Sequence, residues 1–298
     1  MKNILIIGCG LLGSSLLRRI QKKKIANKIY IYEKSNSNLT KIKRLKLPGQ
    51  IVKKLEDGVK KSDLIILCTP MSEYKNLILK MNKFLLTKTI ITDVGSSKLE
   101  SSKIIKNFLR KDVCWTQSHP IAGSEVSGPE HGKHDIFEKK WCVLIKEKST
   151  KKKHLSMLGN FWRKIGSKVV VMTPEKHDKI FSITSHLPHL IAYNLVKSAQ
   201  DFEKIQNFDL IKYSAGGLRD FSRIAASNEI MWRDIFFNNK QNISKAIDLF
   251  IKNLNSFKKD INSQNDKSIL RKLIQTKKVR TKIIKLKQDI DKPDFGRG

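Results

Sequence analysis

A glycine-rich turn near the amino terminus constrains the fold of this chain more than any other stretch. The apolar run NILIIG (3–8) leads into GCGLLG (8–13), and the segment LLGSSLLRRIQKKK (11–24), which has helical periodicity, begins inside the turn. Glycines spaced as G-x-G-x-x-G between a strand and a helix allow a tight turn, close approach of a pyrophosphate to the backbone, and close packing of helix on strand. The sequence therefore predicts a dinucleotide-binding βαβ unit at the start of the chain.

Strand-like and helix-like segments alternate over residues 1–172. The apolar strand candidates lie at 3–8, 28–33, 63–70, 89–94, 113–117, 141–145 and 168–172. Segments with helical periodicity lie between most of them, around 72–86, 98–110 and 151–165. Apolar strands that alternate with helices are typical of a parallel sheet covered on both faces.

The pattern changes after Pro174, where strand candidates nearly vanish. Long stretches with helical periodicity follow at 176–204, 207–214, 221–237, 240–262 and 266–290. We therefore expect an α/β fold with an N-terminal Rossmann-type doubly wound sheet followed by an all-helical C-terminal domain. The expected boundaries are 1–172 for the dinucleotide-binding domain and 173–298 for the helical domain.

The glycine turn and the strand ends beside it contain the residues expected to bind the cofactor. The helix that begins in the turn offers unpaired N–H groups and the positive end of its dipole to a pyrophosphate. We expect cofactor contacts from Gly8, Gly10, Leu11, Leu12, Gly13, Glu33 and Thr69.

Glu33 indicates which dinucleotide the turn binds. It ends the predicted second strand, about twenty residues past Gly13, where a carboxylate accepts the ribose hydroxyls of NAD and repels the 2′-phosphate of NADP. The neighbouring cation Lys34 could tolerate that phosphate, so NADP stays open as an alternative. Without the glycine turn, Glu33 would be interpreted as an exposed acid at a strand end. We expect NAD as the cofactor.

The strongly basic composition raises a second hypothesis. The chain has a net charge of +33 and a pI near 10.0, as nucleic-acid-binding proteins often do. However, its lysines are spread over the whole sequence and are not interleaved with aromatic residues. We interpret them as a solvated surface and expect no specific nucleic-acid partner, although weak polyanion binding follows from charge alone. A basic polyanion-binding or nucleic-acid-binding protein on a Rossmann-type scaffold remains the alternative.

Cysteine usage and hydropathy indicate the compartment. Cys9, Cys68, Cys114 and Cys142 form no CxxC pair and no zinc-like spacing, so we expect buried free thiols, no metal and a reducing environment. No apolar run approaches the roughly 20 residues that span a bilayer. We expect a cytoplasmic protein that does not bind membranes.

Five segments together carry a resemblance to a known family. They are GCGLLGSS (8–15), DVGSSK (93–98), SHPIAGSEVSGPEHG (118–132), LPHLIAYNL (187–195) and AGGLRDFSRIAASNEIMWRDIF (215–236). In this order they resemble the prephenate/arogenate (cyclohexadienyl) dehydrogenases of tyrosine biosynthesis.

The resemblance implies an NAD-dependent oxidative decarboxylation. Its substrate would be a small dicarboxylate, prephenate, or the related arogenate, and its product 4-hydroxyphenylpyruvate or tyrosine, respectively. It also implies a homodimer, with substrate binding and dimerisation assigned to the helical domain. The residues do not distinguish prephenate from arogenate.

The resemblance assigns catalytic roles to two residues. His119 matches the family's catalytic histidine, which draws the proton from the C4 hydroxyl of the substrate; we expect its pKa near the usual value for an imidazole, which suits a base at neutral pH. Ser96 matches a serine that helps orient the same hydroxyl. From SHPIAGSE (118–125) alone, His119 would be interpreted as a structural residue of a turn and not as a catalytic one.

The resemblance also assigns five substrate-binding positions. Arg223 matches an arginine that holds a carboxylate, a task for which its planar fork is better suited than a lysine. The other matches are His189 for side-chain recognition, and Ser124, Glu125 and Trp232 as pocket-lining residues. Glu125 could belong to an ionic gate or be a surface acid, and Trp232 could simply pack in the core. His186 and His189 are spaced as HxxH, which alone is weak evidence for a metal.

Overall fold

The computed structural model describes residues 2–286 and 288, and its amino-terminal part is built on a six-stranded parallel sheet. The strands are β1 (Asn3–Ile7), β2 (Lys28–Tyr32), β3 (Gln50–Ile51), β4 (Leu64–Leu67), β5 (Ile90–Asp93) and β6 (Cys114–Trp115). Their order is β3-β2-β1-β4-β5-β6, with every pair parallel. This order reverses between β1 and β4, the place where doubly wound folds bind dinucleotides.

Helices cover both faces of this sheet. They are α1 (Leu11–Lys22), α2 (Asn36–Arg44), α3 (Leu55–Val59), α4 (Tyr74–Met81), α5 (Leu99–Phe108) and α6 (Lys152–Ile165). Successive residues of β1 point to opposite faces. Accordingly, Ile4 and Ile6 belong to one buried apolar cluster, and Leu5 and Ile7 belong to the other.

The expectation of a single parallel sheet was wrong for the last strands. A separate sheet contains β7 (Ser118–Pro120), β8 (Trp141–Ile145) and β9 (Lys168–Met172), in the order β7-β8-β9. β7 is antiparallel to β8, and β8 is parallel to β9. Only two residues separate β6 from β7, too few for a crossover helix, so β7 cannot continue the parallel order. His119 thus lies in a strand and not in the loop that its proline and glycine neighbours suggest.

In the described residues, six α-helices form the carboxyl-terminal part. They are α7 (Pro174–Phe181), α8 (Leu187–Gln206), α9 (Gly216–Ala225), α10 (Glu229–Asn238), α11 (Lys240–Asn262) and α12 (Asp266–Lys285). The predicted fold class, a Rossmann-type sheet followed by helices, is confirmed. The closing KPDFGRG segment (292–298) lies outside the described residues.

Several predicted helices are divided in the structure. The expected helix over 176–204 is interrupted by a π-helical turn at Ser182–His186, just before Pro188, whose ring removes one backbone N–H from the ladder. The expected helix over 207–214 is replaced by a short 3₁₀ turn after Asn207, which adopts a positive φ of 54°. Asn228 begins a new helix inside the expected 221–237 segment by accepting the Met231 N–H.

The last two helices expose many apolar side chains. On α11 and α12 these include Leu249, Ile251, Leu254, Ile261, Leu270, Leu273, Ile274 and Val279. Among the described residues, no helix is both long and apolar enough to cross a membrane.

Cys9 and Cys142 are buried free thiols as expected, whereas Cys68 and Cys114 are free but only partly buried.

Candidate active site

The glycine turn between β1 and α1 leaves open space at one of its three glycines. Gly8 has a positive φ of 87°, and a Cβ on Gly13 would lie 2.1 Å from the carbonyl oxygen of Gly8. Both positions are therefore fixed as glycine by the backbone. Around Gly10, by contrast, nothing lies within 4 Å of an added Cβ. The fold itself does not need a glycine at this position, so the open space is available to a ligand.

The groups that surround this space fit the diphosphate of a dinucleotide. Helix α1 begins at Leu11 without a side-chain cap, so the N–H groups of its first turn and its positive dipole end are available to an anion. Thr69 follows β4, the strand on the other side of the switch point, and its buried Oγ1 has no hydrogen-bond partner. An unpaired buried hydroxyl beside a free helix N-terminus is a site that a phosphate oxygen satisfies.

Glu33 lies directly beside the glycine turn. Its Oε2 accepts the Cys9 N–H at 2.8 Å, and its Oε1 accepts the Ser35 N–H at 2.8 Å. A carboxylate oxygen has more than one lone pair, so Glu33 retains acceptor capacity for ribose hydroxyls. Lys34 is exposed. The negative charge that is fixed at the end of β2 favours NAD over NADP.

A fully buried ion pair lies at the carboxyl end of β5. Lys98 Nζ donates to Asp93 Oδ2 at 2.7 Å and to the carbonyl oxygen of Ser118 at 2.7 Å. The hydroxyl of Tyr74 donates to the same carboxylate oxygen at 2.9 Å. Burial lowers the pKa of Lys98, and the adjacent Asp93 opposes that shift. This network supports the backbone immediately before His119.

Asp178, on the first helix of the carboxyl-terminal part, reaches across to the same turn. Its Oδ1 accepts the Lys98 backbone N–H at 2.8 Å, and its Oδ2 accepts the Leu99 N–H at 2.9 Å, at the start of α5. Burial raises the pKa of Asp178, and these two N–H groups oppose the shift because they favour the ionised form. Asp178 Oδ1 also lies 2.7 Å from Nδ1 of His177.

These contacts fix the protonation pattern of a chain of two histidines. An ionised Asp178 only accepts, so His177 Nδ1 carries the proton and His177 Nε2 is an acceptor. His177 Nε2 lies 2.8 Å from His119 Nδ1, which must then be the donor. As a result, the lone pair of a neutral His119 is on Nε2. Neither His177 nor Asp178 was identified from the sequence, because KHD within a helical stretch carries no motif.

The expectation of an ordinary pKa for His119 was wrong. Burial lowers this pKa well below its usual value, and the nearby His177 and Lys98 lower it further. Phe181 covers the ring edge-on, with centroids 5.0 Å apart. His119 is therefore neutral at pH 7 and able to accept a proton.

His189 and Trp232 form a stacked pair. Their ring centroids are 3.8 Å apart, and the planes differ by 22°. His189 Nδ1 donates to the carbonyl oxygen of Ser185 at 2.9 Å. The lone pair of a neutral His189 is therefore on Nε2, which can accept a hydrogen bond. Trp232 is 5% exposed, and its Nε1 has no partner. Trp232 therefore packs in the core, as one of the two sequence-based interpretations proposed. Its indole N–H is still available as a donor.

Arg223 lies near acids but is not tightly paired with them. Its guanidinium is 3.7 Å from Glu125 and 3.9 Å from Asp220, and its side chain is 38% exposed. Glu125 therefore lies at ion-pair distance from Arg223. Ser124 is exposed beside Glu125. A loosely paired guanidinium can exchange its partner for an incoming carboxylate at small cost.

Ser96 lies half-buried in the turn that ends at Lys98, and its backbone contacts His186. His186 is buried, which lowers its pKa to about 4, and its Nδ1 accepts from Asn239 at 3.1 Å. No group of three or more potential metal ligands occurs among the described residues. His186 Nε2 is buried and has no hydrogen-bond partner.

The chain is similar to known proteins over nearly its whole length. A family model for "Prephenate dehydrogenase, nucleotide-binding domain" matches residues 16–171, and one for "Prephenate dehydrogenase, dimerization domain" matches residues 173–276. The cyclohexadienyl dehydrogenase of Zymomonas mobilis is 32% identical over 97% of this chain and 98% of its own length. The prephenate dehydrogenase of Bacillus subtilis is 29% identical over 90% of this chain and 72% of its own.

A solved structure has the same architecture. The prephenate dehydrogenase of Aquifex aeolicus, in complex with hydroxyphenyl propionate and NAD+, superimposes with a TM-score of 0.88 at 34% identity. The similarity covers 95% of this chain and 98% of that one.

The two glycines provide a matched pair of substitutions. We expect Gly13→Ala to destabilise the protein, because its Cβ collides with backbone, and Gly10→Ala to fold normally but lose affinity for NAD+. Thermal unfolding and calorimetric titration with NAD+ measure the two effects separately. Normal NAD+ affinity in folded Gly10→Ala would contradict the placement of the diphosphate.

Proposed function

Because the chain belongs to the prephenate dehydrogenase family, we propose that it catalyses the NAD-dependent oxidative decarboxylation of prephenate, of arogenate or of both. The product is 4-hydroxyphenylpyruvate from prephenate and tyrosine from arogenate. The observation that carries the proposal is the hydrogen-bonded chain from Asp178 through His177 to Nδ1 of the buried His119, from which we infer a lone pair on His119 Nε2. His119 lies on the strand that follows the dinucleotide-binding sheet.

In this proposal His119 Nε2 accepts the proton of the C4 hydroxyl, and Ser96 orients that hydroxyl. Bound NAD+ takes the hydride that leaves C4 as the carbon–oxygen bond becomes a carbonyl. The ring carboxylate then departs as CO₂, and its bonding electrons restore aromaticity and place negative charge on the oxygen. His119 returns its proton to that oxygen, so the histidine is regenerated and no net proton is released.

His177 and Asp178 act as positioning residues. While His119 holds the proton it is an imidazolium in a buried site, where an isolated charge is costly. His177 Nε2 accepts a hydrogen bond from Nδ1–H of His119. The Asp178 carboxylate accepts a hydrogen bond from Nδ1–H of His177 and stabilises the positive charge, as the carboxylate of a catalytic triad does. The low pKa of His119 helps it give the proton back at the end of the cycle.

Arg223 is proposed to bind a carboxylate of the substrate, and His189 is proposed to recognise the substrate's side chain. Arg223 is loosely held by Glu125 and Asp220, so it can turn to a ligand. His189 offers Nε2 beside the Trp232 ring. Ser124 and Glu125 are proposed to line the entrance.

We further propose a cytoplasmic homodimer, divided at residues 172 and 173 into a cofactor-binding and a helical domain. The match to a dimerization domain supports an assembly through the helices, and the apolar side chains exposed on α11 and α12 supply the surface. No observation favours a dedicated nucleic-acid site, and NADP is retained as a weaker cofactor.

The activity is tested by following NADH or NADPH formation with each substrate and each cofactor. We expect turnover of prephenate, arogenate or both, with NAD+ preferred because Glu33 repels the extra phosphate of NADP+. Glu33→Gln is expected to reduce the preference for NAD+ over NADP+. Equal use of NADP+ by the unaltered enzyme would mean that Lys34, and not Glu33, determines the cofactor preference. If neither substrate is turned over, the proposed activity is wrong.

His119→Asn is expected to fold and bind NAD+ but to lose kcat by about 10²- to 10⁴-fold, the usual contribution of a positioned base. In the unaltered enzyme, kcat/KM is expected to fall only as the pH drops well below 6.5, where His119 Nε2 becomes protonated. Steady-state kinetics across pH measure both effects. A loss of less than tenfold, or an acidic limb centred at or above 6.5, would mean that His119 is not this base.

Arg223→Ala is expected to raise KM for prephenate with little change in NAD+ affinity. Removing one partner of a desolvated charge pair costs about 2–5 kcal/mol. Arg223→Lys should restore little, because lysine lacks the planar fork. Heparin retention serves as a control, since one charge among sixty lysines and arginines contributes little to polyanion binding. An unchanged KM in both variants would refute the carboxylate role.

Light scattering at micromolar concentration is expected to give twice the chain mass of 34.3 kDa. A charged substitution on the exposed face of α11, Leu254→Glu, should shift the equilibrium toward monomer, whereas Lys252→Glu, which lies on a different side of the same helix, should not. A monomer mass for the unaltered chain would contradict the homodimer.

A further inference from the structure

A second cavity lies away from the proposed active site. It has a volume of about 440 Å³ and is enclosed by the β6 edge of the parallel sheet, the end of α5 and the segment that leads from β8 into α6. Thr87, Arg110 and Val113 in its wall precede β5 and β6, so the cavity opens at the amino-terminal end of these strands. The glycine turn lies at the opposite, carboxyl-terminal edge. None of the residues proposed for substrate or cofactor lines this cavity.

Three polar atoms in its wall are buried and have neither a hydrogen-bond partner nor an ion-pair partner. They are Trp115 Nε1, Gln117 Oε1 and His154 Nδ1. Most buried polar atoms in proteins have a hydrogen-bond partner, so several unpaired ones around one space offer hydrogen bonds to a ligand that enters it. The same signature occurs at the proposed active site, where Thr69 and Trp232 have unpaired atoms.

The identity of these atoms restricts what they bind. Gln117 is 2% exposed, and its amide nitrogen already donates to the Lys98 carbonyl at 3.1 Å and to Ser101 Oγ at 2.8 Å. Its Oε1 is the acceptor that remains without a partner, and it requires a donor. The Trp115 indole N–H can only donate and requires an acceptor. The ligand must supply both.

The charges in the wall favour an anion. Lys106 pairs with Glu147, and Arg110 pairs with Asp112. Lys111 and Lys151 also line the cavity, and within the described residues neither has a carboxylate at ion-pair distance. The surplus is therefore positive. Apolar wall is supplied by side chains such as Ile105, Leu109 and Ile145.

We propose that this cavity is a second ligand site that takes a small carboxylate bearing a hydrogen-bond donor and an apolar side chain, which is the chemistry of an α-amino or α-hydroxy acid. The carboxylate faces Lys151 and the Trp115 indole, and the donor faces Gln117 Oε1. Gln117 also joins the cavity to the catalytic strand, because it lies two residues before His119 and bonds to the carbonyl of Lys98.

Four probes with one carbon skeleton test the recognition. Leucine and its hydroxy acid carry a carboxylate and a donor, isocaproate lacks the donor, and leucinamide lacks the carboxylate. Calorimetric titration is expected to show binding of leucine, its hydroxy acid or both, with isocaproate and leucinamide about tenfold weaker for each missing charge-assisted contact. If leucine binds more tightly than its hydroxy acid, the donor is the ammonium group; if the hydroxy acid binds more tightly, the donor is the hydroxyl. Equal affinity for all four, or no binding at millimolar concentration, would overturn the proposal.

Substitutions then locate the binding. Lys151→Gln and Trp115→Phe are each expected to weaken the best probe about tenfold, whereas Lys152→Gln, next along the chain but outside the cavity wall, should stay within about twofold. The probe should also slow alkylation of Cys114, a partly exposed thiol in the wall. If instead Arg223→Ala abolishes binding and Lys151→Gln does not, the probe occupies the active site and the cavity is not a ligand site.

Discussion

The arrangement of the proposed active site depends on the buried ion pair between Lys98 and Asp93. Through it, the turn after β5 is bound to the strand that carries His119, because the same ammonium donates to the carbonyl of Ser118. Breaking a buried pair by removing one partner typically costs about 3–5 kcal/mol. Asp178 extends this network into the helical part by accepting both backbone N–H groups at the start of α5. One set of contacts therefore aligns the two parts of the chain and the proposed base.

The glycine turn supplies the other half of the site, and it depends on backbone space instead of charge. Gly8 and Gly13 let α1 approach β1, while the emptiness at Gly10 leaves room in front of the helix N-terminus. The turn lies between β1 and β2, whereas His119 follows β6 at the far edge of the sheet. We propose that bound NAD has its adenosine end at Glu33 and extends toward His119.

The sequence predicted well what depends on local pattern. The glycine spacing predicted the turn, the apolar runs predicted β1, β4 and β5, and the loss of strands after Pro174 predicted the helical part. It missed α2, β3 and α3, because NSNLTKIKR is largely polar, β3 has two residues, and α3 is a single short turn containing Gly58. It also missed His177 and Asp178, and it placed the His119 pKa too high. These depend on tertiary contacts, such as that between His119 and His177, which are 58 positions apart, and no local pattern reports such contacts.

The central claim is that His119 is a neutral base with its lone pair on Nε2, oriented by His177 and Asp178. Nitrogen NMR of enzyme labelled at the histidine ring nitrogens tests this directly at neutral pH, with signals assigned by their loss in His119→Asn and His177→Asn. The account predicts a protonated Nδ1 and an unprotonated Nε2 for both rings. A proton on Nε2 of His119, or an imidazolium at neutral pH, would contradict it.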